Sequence, residues 1–408
     1  MTTMADNKEN RIPNVPPLRF PEFVGEWKVE QLDSIATLSK GVGISKEQLS
    51  EEGEPCILYG ELYTKYKSEI IKQIESKTDI DCSKLKRSKA NDVIIPCSGE
   101  TAVDIATARC VPFDNILLGG DLNIISLHQY DGAFMSYQLN GKRKFDIAKV
   151  AQGVSVVHLY GEHLKTIKTY NPSLQEQCKI AKLLSLLDER IATQNKIIEK
   201  YESLIQAIIY QTKTDGLING TWQKTELRRV LQERHEKNVK GYDVCSVSVS
   251  QGVVNQIEYL GRSFAAKETG HYNVVKYGDV VYTKSPTGDF PYGIVKRSYI
   301  KCDVAVSPLY GVYEPISDSI GIILHFYFMQ PSNTFNYLHP LIQKGAKNTI
   351  NITNGRFLEN AVPLPKEEGK AKRIAWILTT VQSKIESEHS CQQSYIKQKE
   401  YLLRQMFN

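Results

Sequence analysis

Apolar residues recur at alternating spacings of four and three along the middle of the chain, the pattern of a helix that buries one face along its whole length. The positions are Ile180, Leu184, Leu187, Ile191, Gln194, Ile198, Tyr201, Ile205 and Ile208, and Gln194 is the one polar member. Asn171-Pro172-Ser173 provides a start signal and Asp215-Gly216 an end signal. The pattern predicts a long helix within residues 172–215.

A second stretch near the end of the chain repeats this pattern. Its positions are Ile374, Leu378, Val381, Ile385, Glu388, Gln392, Tyr395, Leu402, Leu403 and Met406. The two series are offset by 194 residues as far as Tyr395 and by 198 residues beyond it. Four additional residues make about one helical turn, so the same face stays apolar. The pattern predicts a second long helix within residues 366–408, with Gln194 opposite Glu388 or Gln392 as a candidate polar contact that fixes the register.

Matching segments also precede both helices. "NDVIIPCSGET" (91–101) resembles "GDVVYTKSPTG" (278–288), and Trp27-x4-Leu32 recurs as Trp222-x4-Leu227. Because two amphipathic helices can bury their stripes against each other, we expect an α+β fold: two similar mixed α/β domains separated by two long antiparallel helices that form a coiled-coil spacer, with a pseudo-twofold internal repeat. The predicted segments are a flexible lead-in at 1–22, a first domain at 23–171 with a helix at 172–215, and a second domain at 220–365 with a helix at 366–408.

Composition indicates an ordinary soluble globular protein, with 41% hydrophobic and 24% charged residues. No apolar stretch reaches the ~18 residues of a membrane span, and the longest, "IGIILHFYFM" (Ile320–Met329), is predicted to be a buried strand. The polar, proline-rich start is unlike a signal peptide. The eight cysteines show no CxxC pair and no zinc spacing, which indicates free thiols in a reducing cytoplasm.

The distribution of charge along the chain limits how the protein can bind nucleic acid. The net charge is +5, and the segment 23–171 carries 18 basic and 20 acidic side chains against 16 and 12 for the segment 220–365. Neither segment is cationic enough to bind nucleic acid by bulk charge. If nucleic acid is the partner, contact must therefore come from local clusters.

The sequence resembles the specificity subunits of type I restriction-modification systems. The resemblance covers nearly the whole chain and rests on "PPLRFPEFVGEWKVEQLDSIATLSKG", on "ILYGELYTKY" (57–66), on the "PSLxEQxxIAxLLxxLD" entry to the central helix and on the duplicated layout. One departure is "KEEGKAKRIA" at the second helix, where the family often repeats Glu-Gln.

The resemblance implies two target recognition domains, each of which reads one half of a split, asymmetric site on double-stranded DNA. It implies that the helices form the spacer and dock two modification (methyltransferase) subunits, and that restriction subunits complete an ATP-driven complex in the cytoplasm of a bacterium or archaeon. S-adenosylmethionine, ATP and Mg²⁺ would be used by the partner subunits, and this chain would bind no cofactor and no metal.

The sequence lacks the motifs of a chain that cuts or methylates DNA by itself. It contains no G-x-x-x-x-G-K-[ST] loop, and "NPS" at Asn171 differs from the Asn/Asp-Pro-Pro-aromatic motif of amino-methyltransferases. "HEKNV" (235–239) lacks the second histidine of a zinc site. We therefore predict a non-catalytic chain.

In the first domain, basic and aromatic side chains cluster at three places. The candidates for DNA contact are Tyr59, Tyr63, Lys65, Lys84, Lys86, Arg87, Lys89, Ser98, Lys142, Arg143 and Lys144. Phosphate contacts position a protein on DNA, and side chains at base edges specify the sequence. The alternatives remain open: the lysines fit a solvated loop, the tyrosines of "YGELYTKY" fit a core, and Ser98, Glu100 and Thr101 fit a turn.

In the second domain, "YTKSPTGDFPYGIVKR" combines a strand with a Pro/Gly loop, and "QKGAKNTIN" adds lysines and an asparagine. Loops on a rigid strand frame often carry recognition, and Asn pairs with adenine as Lys does with guanine or phosphate. The candidates are Lys284, Ser285, Thr287, Tyr292, Lys296, Arg297, Lys344, Lys347 and Asn348. Ordinary hairpin chemistry is the alternative.

Two other functions remain open at this point. One is the specificity chain of a related bipartite system in which methylase and nuclease share one partner chain. The other, from a different class, is a scaffold whose helices assemble partners and whose globular domains bind protein rather than DNA.

Overall fold

The computed structural model describes residues 14–153, 155–262, 268–344 and 350–408. The chain forms two compact units: unit 1 comprises Met1–Gln194 with Cys391–Asn408, and unit 2 comprises Asn195–Ser390. No helix in the described ranges is long and apolar enough to cross a membrane. The cysteines, all of which lie in those ranges, are free.

Unit 1 is built from short strands and short helices that precede the first long helix. The strands are β1 Lys28–Gln31, β2 Ala36–Lys40, β3 Leu49–Ser50, β4 Glu54–Ile57, β5 Ser76–Thr78, β6 Lys86–Arg87, β7 Asp92–Pro96, β8 Ser98–Gly99, β9 Arg109–Val111, β10 Leu117–Leu118, β11 Leu122–Leu127, β12 Val157–His158 and β13 Lys168–Asn171. The helices are α1 Leu32–Ile35, α2 Glu61–Thr64, α3 Ala102–Ile105, α4 Gly132–Asn140, α5 Lys144–Val150, α6 Gly161–Lys165 and α7 Leu174–Ile218, of which the part up to Gln194 lies in unit 1.

An antiparallel sheet with the order β2-β11-β7-β9 forms the centre of unit 1. Strand β7 is buried along its whole length because both of its faces meet apolar clusters. Val93 and Ile95 contribute to one cluster, and Ile94 contributes to the other. The two-residue alternation of side chains therefore explains why "DVIIP" is continuously apolar. Strands β1 and β13 pair at the ends of the domain segment.

The start of α7 follows the sequence prediction. The Glu176 N–H donates to Ser173 Oγ at 3.4 Å, and the Gln177 N–H donates to the Ser173 carbonyl at 3.0 Å. Ser173 therefore caps the helix as the Asn-Pro-Ser signal predicts.

Within unit 1, the first part of α7 packs against the last part of α12 (Glu368–Gln405). Asp188 contacts Lys399, and the farther residue Arg190 contacts the earlier residue Tyr395, so the two helices run antiparallel here. The shared core consists of Ile180, Leu184, Leu187, Leu402, Met406, Phe407, Trp27, Phe134 and Tyr137, while Ile191 and Tyr395 are half-buried. The antiparallel helix pair that the repeat predicted is present in this unit.

An ion cluster joins the two helices to the globular part of unit 1, in which Glu69 and Asp188 are buried and Lys399 is half-buried. Lys399 Nζ lies 2.5 Å from both Glu69 Oε2 and Asp188 Oδ1. Tyr137 Oη and Ser68 Oγ donate to Asp188 Oδ2 at 2.6 and 3.0 Å. Burial lowers the pKa of Lys399, but the two carboxylates outweigh it and raise that pKa above its ordinary value. The cluster is therefore charged and well paired.

Unit 2 repeats this plan. Its strands are β14 Trp222–Glu226, β15 Leu231–Glu233, β16 Cys245–Ser248, β17 Gly252–Asn255, β18 Asn273–Val275, β19 Val280–Tyr282, β20 Val295–Arg297, β21 Val304–Val306, β22 Gly311–Pro315, β23 Gln343–Lys344, β24 Ile350–Asn351 and β25 Ala361–Pro365. Its helices are α8 Gln256–Leu260, α9 Asp318–Phe328, α10 Pro331–Leu338, α11 Asn354–Phe357 and the parts of α7 and α12 that lie between Asn195 and Ser390.

The order of the central sheet in unit 2 is β15-β22-β19-β20, again antiparallel throughout. When the four strands of each sheet are numbered one to four in chain order, both sheets have the spatial order 1-4-2-3. Strands β14 and β25 pair as β1 and β13 do in unit 1. The internal repeat and the α+β class predicted from the sequence are therefore confirmed.

In unit 2, one buried position of the long helices shifts by one residue from the predicted spacing. Ile198, Ile205, Ile374, Leu378 and Ile385 are buried in the main core of unit 2, but Ile209 is buried at the place where the strict spacing predicts Ile208. Tyr201, Ile208 and Val381 are only partly buried against this core. An α-helix with 3.6 residues per turn moves away from a seven-residue repeat in this way.

The end of α7 lies three residues beyond the prediction, at Ile218 rather than Asp215. Gly216 does not terminate the helix. It makes room for Trp222, because a Cβ at this position would lie 1.9 Å from the indole ring. Gly220, with φ +66°, takes the left-handed conformation that ends the segment.

The prediction of a strand at Ile320–Met329 is wrong, since these residues lie in α9 apart from Met329 just beyond its end. Ser317 Oγ accepts from the Ile320 N–H, and Asp318 sits in the first turn, both favourable at a helix start. The helix is buried on almost every side, which is why it lacks polar positions. A short apolar run cannot distinguish a buried helix from a buried strand.

Two of the predicted DNA contacts, Lys296 and Arg297, lie on strand β20 and are buried. Lys296 is 3% exposed and Arg297 is 1% exposed. The Arg297 guanidinium lies 4.7 and 4.5 Å from the ring centres of Tyr277 and Tyr299 and pairs with Asp318. Burial lowers the pKa of Lys296 to about 8. The sequence shows two basic residues beside a loop, but the strand turns both into the unit, so we withdraw them as DNA contacts.

Replacing Lys399 with methionine should lower the free energy of unfolding by about 3 kcal/mol or more, because it leaves two carboxylates buried without their shared partner. Urea unfolding of the full chain measures the effect. Lys397→Met, at an exposed position of the same helix, is the control and should change stability by less than about 0.5 kcal/mol. A loss below about 1 kcal/mol for Lys399→Met would show that the cluster does not hold the helices.

Replacing Lys296 with methionine should raise the thermal stability at pH 7, by roughly 1–3 kcal/mol at about 1.4 kcal/mol for each pKa unit. Because the folded pKa is about 8 and the ordinary value is 10.5, the unfolded chain binds more protons between these values. Wild-type stability therefore rises across that window, and the advantage of the variant shrinks. Thermal unfolding at pH 7 and pH 10, with the exposed Lys301→Met as control, tests this. A variant less stable at pH 7 would contradict it.

Candidate nucleic-acid interface

A cleft of about 700 Å³ opens in unit 1 beyond the end of β7. Three segments that are distant in sequence form its walls, namely α2, the β8–α3 region with β9, and the loop before β12. The lining residues are Tyr59, Gly60, Leu62, Tyr63, Thr64, Ser98, Gly99, Glu100, Asp104, Thr107, Arg109, Ser155 and Val156. The structure therefore brings together Tyr59, Tyr63, Ser98 and Glu100, which the sequence singled out in two separate stretches.

The two tyrosines have different roles in the cleft. Tyr63 Oη donates to the Ser98 carbonyl at 3.0 Å, and burial raises the pKa of Tyr63, so its hydroxyl stays neutral. A Cβ on Gly99 would come within 2.9 Å of this hydroxyl, so glycine allows the close approach without a shift of the tyrosine. Tyr59 is 39% exposed and presents its ring at the rim. Tyr66, the third tyrosine of this stretch, belongs to the core.

The electrostatic character of the cleft is set by two carboxylates and one buried guanidinium. Glu100 and Asp104 are exposed, and Thr101 Oγ1 donates to Asp104 Oδ2 at 2.6 Å. Arg109 is 9% exposed and donates to the carbonyls of Tyr66 and Ala108, both at 2.9 Å. Its donors face the backbone, so the cleft offers mainly acceptors to a ligand.

A smaller basic groove of about 310 Å³ lies at the other end of β7. Its lining residues are Thr37, Ser39, Lys86, Arg87, Lys89, Ala90, Asn91, Asp92, Ser126, Leu127 and His128. Lys86 and Lys89 are exposed. Arg87 pairs with Glu54 at 2.5 Å. Three of the four cations of the "KLKRSK" cluster therefore share one groove, and Lys84 is exposed outside it.

The remaining candidates of unit 1 are tied to structural partners or stand apart. Arg143 pairs with Asp146 at 3.1 Å, and its guanidinium lies 5.0 Å from the ring centre of Tyr170. Lys142 is exposed and Lys144 begins α5. Lys65 Nζ lies 2.8 Å from Glu61 Oε1. These cations line neither the cleft nor the groove.

In unit 2, the loop after β19 displays the predicted polar residues. Ser285 and Thr287 are exposed, Lys284 is half-buried, and burial lowers the pKa of Lys284. Tyr292 is held by structure: its carbonyl accepts from Tyr282 Oη at 2.8 Å, and its ring lies 5.3 Å from that of Phe335. Lys347 and Asn348 lie outside the described residues, as does the side chain of Lys344.

Sequence reasoning missed several residues of the cleft and the groove, including Asp104, Thr107, Arg109 and His128. Arg109 reaches the cleft because β9 pairs with β7, and a single sequence does not reveal strand pairing. Within the described ranges, no group of three or more His, Cys, Asp or Glu side chains could hold a metal ion.

Comparisons with known proteins agree with one another. Residues 25–203 match the family model described as the type I restriction modification DNA specificity domain. The type I restriction enzyme MjaVIII specificity subunit of Methanocaldococcus jannaschii is 25% identical over 259 residues, which are 59% of this chain and 57% of that protein. This chain therefore matches little more than half of the relative's length.

Two solved structures show the same fold. The S subunit of a type I restriction-modification system from M. genitalium matches with a TM-score of 0.61 at 15% identity, over 97% of this chain and 99% of the other. A structure from a study of assembly of a type I system matches with a TM-score of 0.51 at 12% identity, over 96% and 99%. At such identities these likenesses concern the fold alone. Residues 25–203 are therefore similar to the type I restriction modification DNA specificity domain, in agreement with the resemblance found in the sequence.

Proposed function

We propose that this chain is the DNA specificity subunit of a type I restriction-modification complex, and that each unit reads one half of a split, asymmetric site. The observation that carries the proposal is the repeated sheet order: unit 2 repeats the strand arrangement of unit 1, most of which the family model covers. Two copies of one recognition frame suit two half-sites better than one continuous site.

The proposal assigns the chemistry to partner subunits. Two methyltransferase subunits would dock on the long helices and use S-adenosylmethionine, and restriction subunits would use ATP and Mg²⁺. This chain would supply sequence recognition and no catalytic group, in the cytoplasm of a bacterial or archaeal cell. The helices would set the number of base pairs between the half-sites.

Within unit 1, the proposal divides DNA contact between the two ends of β7. The cleft, with tyrosines and acceptors, would contact base edges, and Lys86 and Lys89 of the basic groove would each contact a phosphate. The five residues of β7 span about 17 Å, which is comparable to the width of a DNA duplex. A duplex whose axis crosses the strand would therefore contact both places.

Replacing Lys86 and Lys89 together with glutamine should weaken binding to all duplexes alike. The selected motif should stay the same, because phosphate contacts carry no base information. The slope of log affinity against log salt should fall by about 2, at roughly 0.9 for each phosphate that a lysine no longer neutralises. Fluorescence anisotropy at several salt concentrations, with selection from random duplexes, measures both quantities.

The control for this pair is Lys28→Gln with Lys168→Gln, which removes the same charge from exposed positions on β1 and β13. It should leave the salt slope within about 0.5 of the wild-type value. Equal losses in both double variants would mean that bulk charge, rather than the groove, attracts DNA. Absence of any sequence-selective binding by the assembled complex would contradict the proposed function itself and favour the protein-assembly scaffold.

Deletion of the four residues Gln194–Ile197 from α7 should leave both half-site sequences unchanged and alter the preferred spacer between them. About one helical turn, or ~6 Å, is removed, whereas the strands and loops of both units are untouched. Sequencing of methylated sites in cells that carry the variant gives the motif and its spacer together. A changed base preference at a fixed spacer would show that the helices do not act as the ruler.

A further inference from the structure

Two carboxylates line the cleft of unit 1, and their oxygens can accept hydrogen bonds from a ligand. Glu100 and Asp104 both line it, and the Thr101 hydroxyl fixes one oxygen of Asp104. Each carboxylate has about four lone-pair sites, so one hydrogen bond from Thr101 leaves Asp104 with acceptor capacity. The exposed Glu100 lies at the same wall, two residues after Ser98.

The one cation among the described lining residues does not offset these acceptors. Arg109 uses its Nε and Nη1 to donate to backbone carbonyls and is buried from solvent, since it is 9% exposed. Buried guanidinium groups that already donate to carbonyls have little left for a ligand. A phosphate in this cleft would therefore meet two carboxylates and no free cation, which repels it.

The two carboxylates can distinguish the bases by the donors and acceptors on their major-groove edges. In the major groove, cytosine N4 and adenine N6 carry amino groups that donate, whereas guanine presents O6 and N7 and thymine presents O4, all acceptors. Carboxylates opposite guanine or thymine would leave acceptor facing acceptor, with both groups unpaired. Tyr59 and Tyr63 supply apolar ring surface beside the acceptors.

We propose that this cleft binds the amino-bearing edge of cytosine or adenine on one strand of the unit 1 half-site, with Glu100 and Asp104 as the acceptors. The inference rests on the proposed function and deepens it by naming the class of base. The half-site read by unit 1 then contains a position that is restricted to cytosine or adenine on the contacted strand.

The test uses the full chain copurified with its methyltransferase partner and a duplex that carries the selected motif. At the restricted position, cytosine is replaced by 2-pyrimidinone or adenine by purine, which removes only the amino group. Wild-type affinity should fall roughly 5- to 100-fold, the range for one good base contact. In a chain that carries Glu100→Ala together with Asp104→Ala, the same replacement should change affinity less than about twofold, because both acceptors are absent.

Glu51→Ala is the matched control, since Glu51 is an exposed glutamate of unit 1 outside the cleft lining. It should keep the full loss on amino-group removal. A loss of the same size in wild type and in the doubly substituted cleft variant would overturn the assignment, while the sequence selectivity that remains would leave the proposed function standing. A loss that follows guanine-to-inosine replacement and depends on Glu100 would also overturn it, because it would indicate a minor-groove amino group.

Discussion

The apolar stripe of the two long helices is the constraint on which the rest of the chain depends. A stripe of this length cannot stay in water, and each unit buries its own part of it. In unit 1 the stripe forms one core with Trp27 and Phe134 from the globular part and with Phe407 from the end of the chain. In unit 2 it is continuous with the main core. The globular part and the helix pair of each unit therefore share one core, so the stability of each depends on the other.

Charge reinforces this packing in unit 1. Lys399 is half-buried and keeps its charge because Glu69 and Asp188 approach it from the globular part and from α7. Such a cluster specifies one register of the two helices, since a slip by one turn would leave three charges without partners. Apolar contacts alone tolerate such slips more easily. Unit 2 buries Lys296 at the position of its edge strand that corresponds to Arg109 in unit 1, and burial there lowers the pKa of the lysine instead of pairing its charge.

The sequence predicted most securely whatever depends on long periodic patterns. The helices follow from apolar spacing, and the repeat follows from the recurrence of that spacing together with the matching segments before each helix. The strand predicted at Ile320–Met329 failed because burial on all sides removes the polar positions that reveal a helical period. Lys296 and Arg297 failed for a related reason: a buried edge strand and a solvent loop show the same residue types. The sequence predicted part of the cleft, since Tyr63 and Ser98 were among the candidates. Arg109 reaches the cleft only because β9 pairs with β7.

The repeated frame also explains how similar units can hold different surfaces. Strand β7 in unit 1 and β19 in unit 2 occupy the same place in their sheets, so the loops that follow them start from equivalent positions. The aligned stretches place Glu100 where unit 2 has Thr287, and Cys97 where it has Lys284. One loop thus presents acceptors and the other a lysine and hydroxyls, although the strands beneath them are alike. Because Glu100, Ser285 and Thr287 are exposed, these positions can differ between the units without cost to the fold. Under the proposed function, such differences would let a duplicated frame read an asymmetric site.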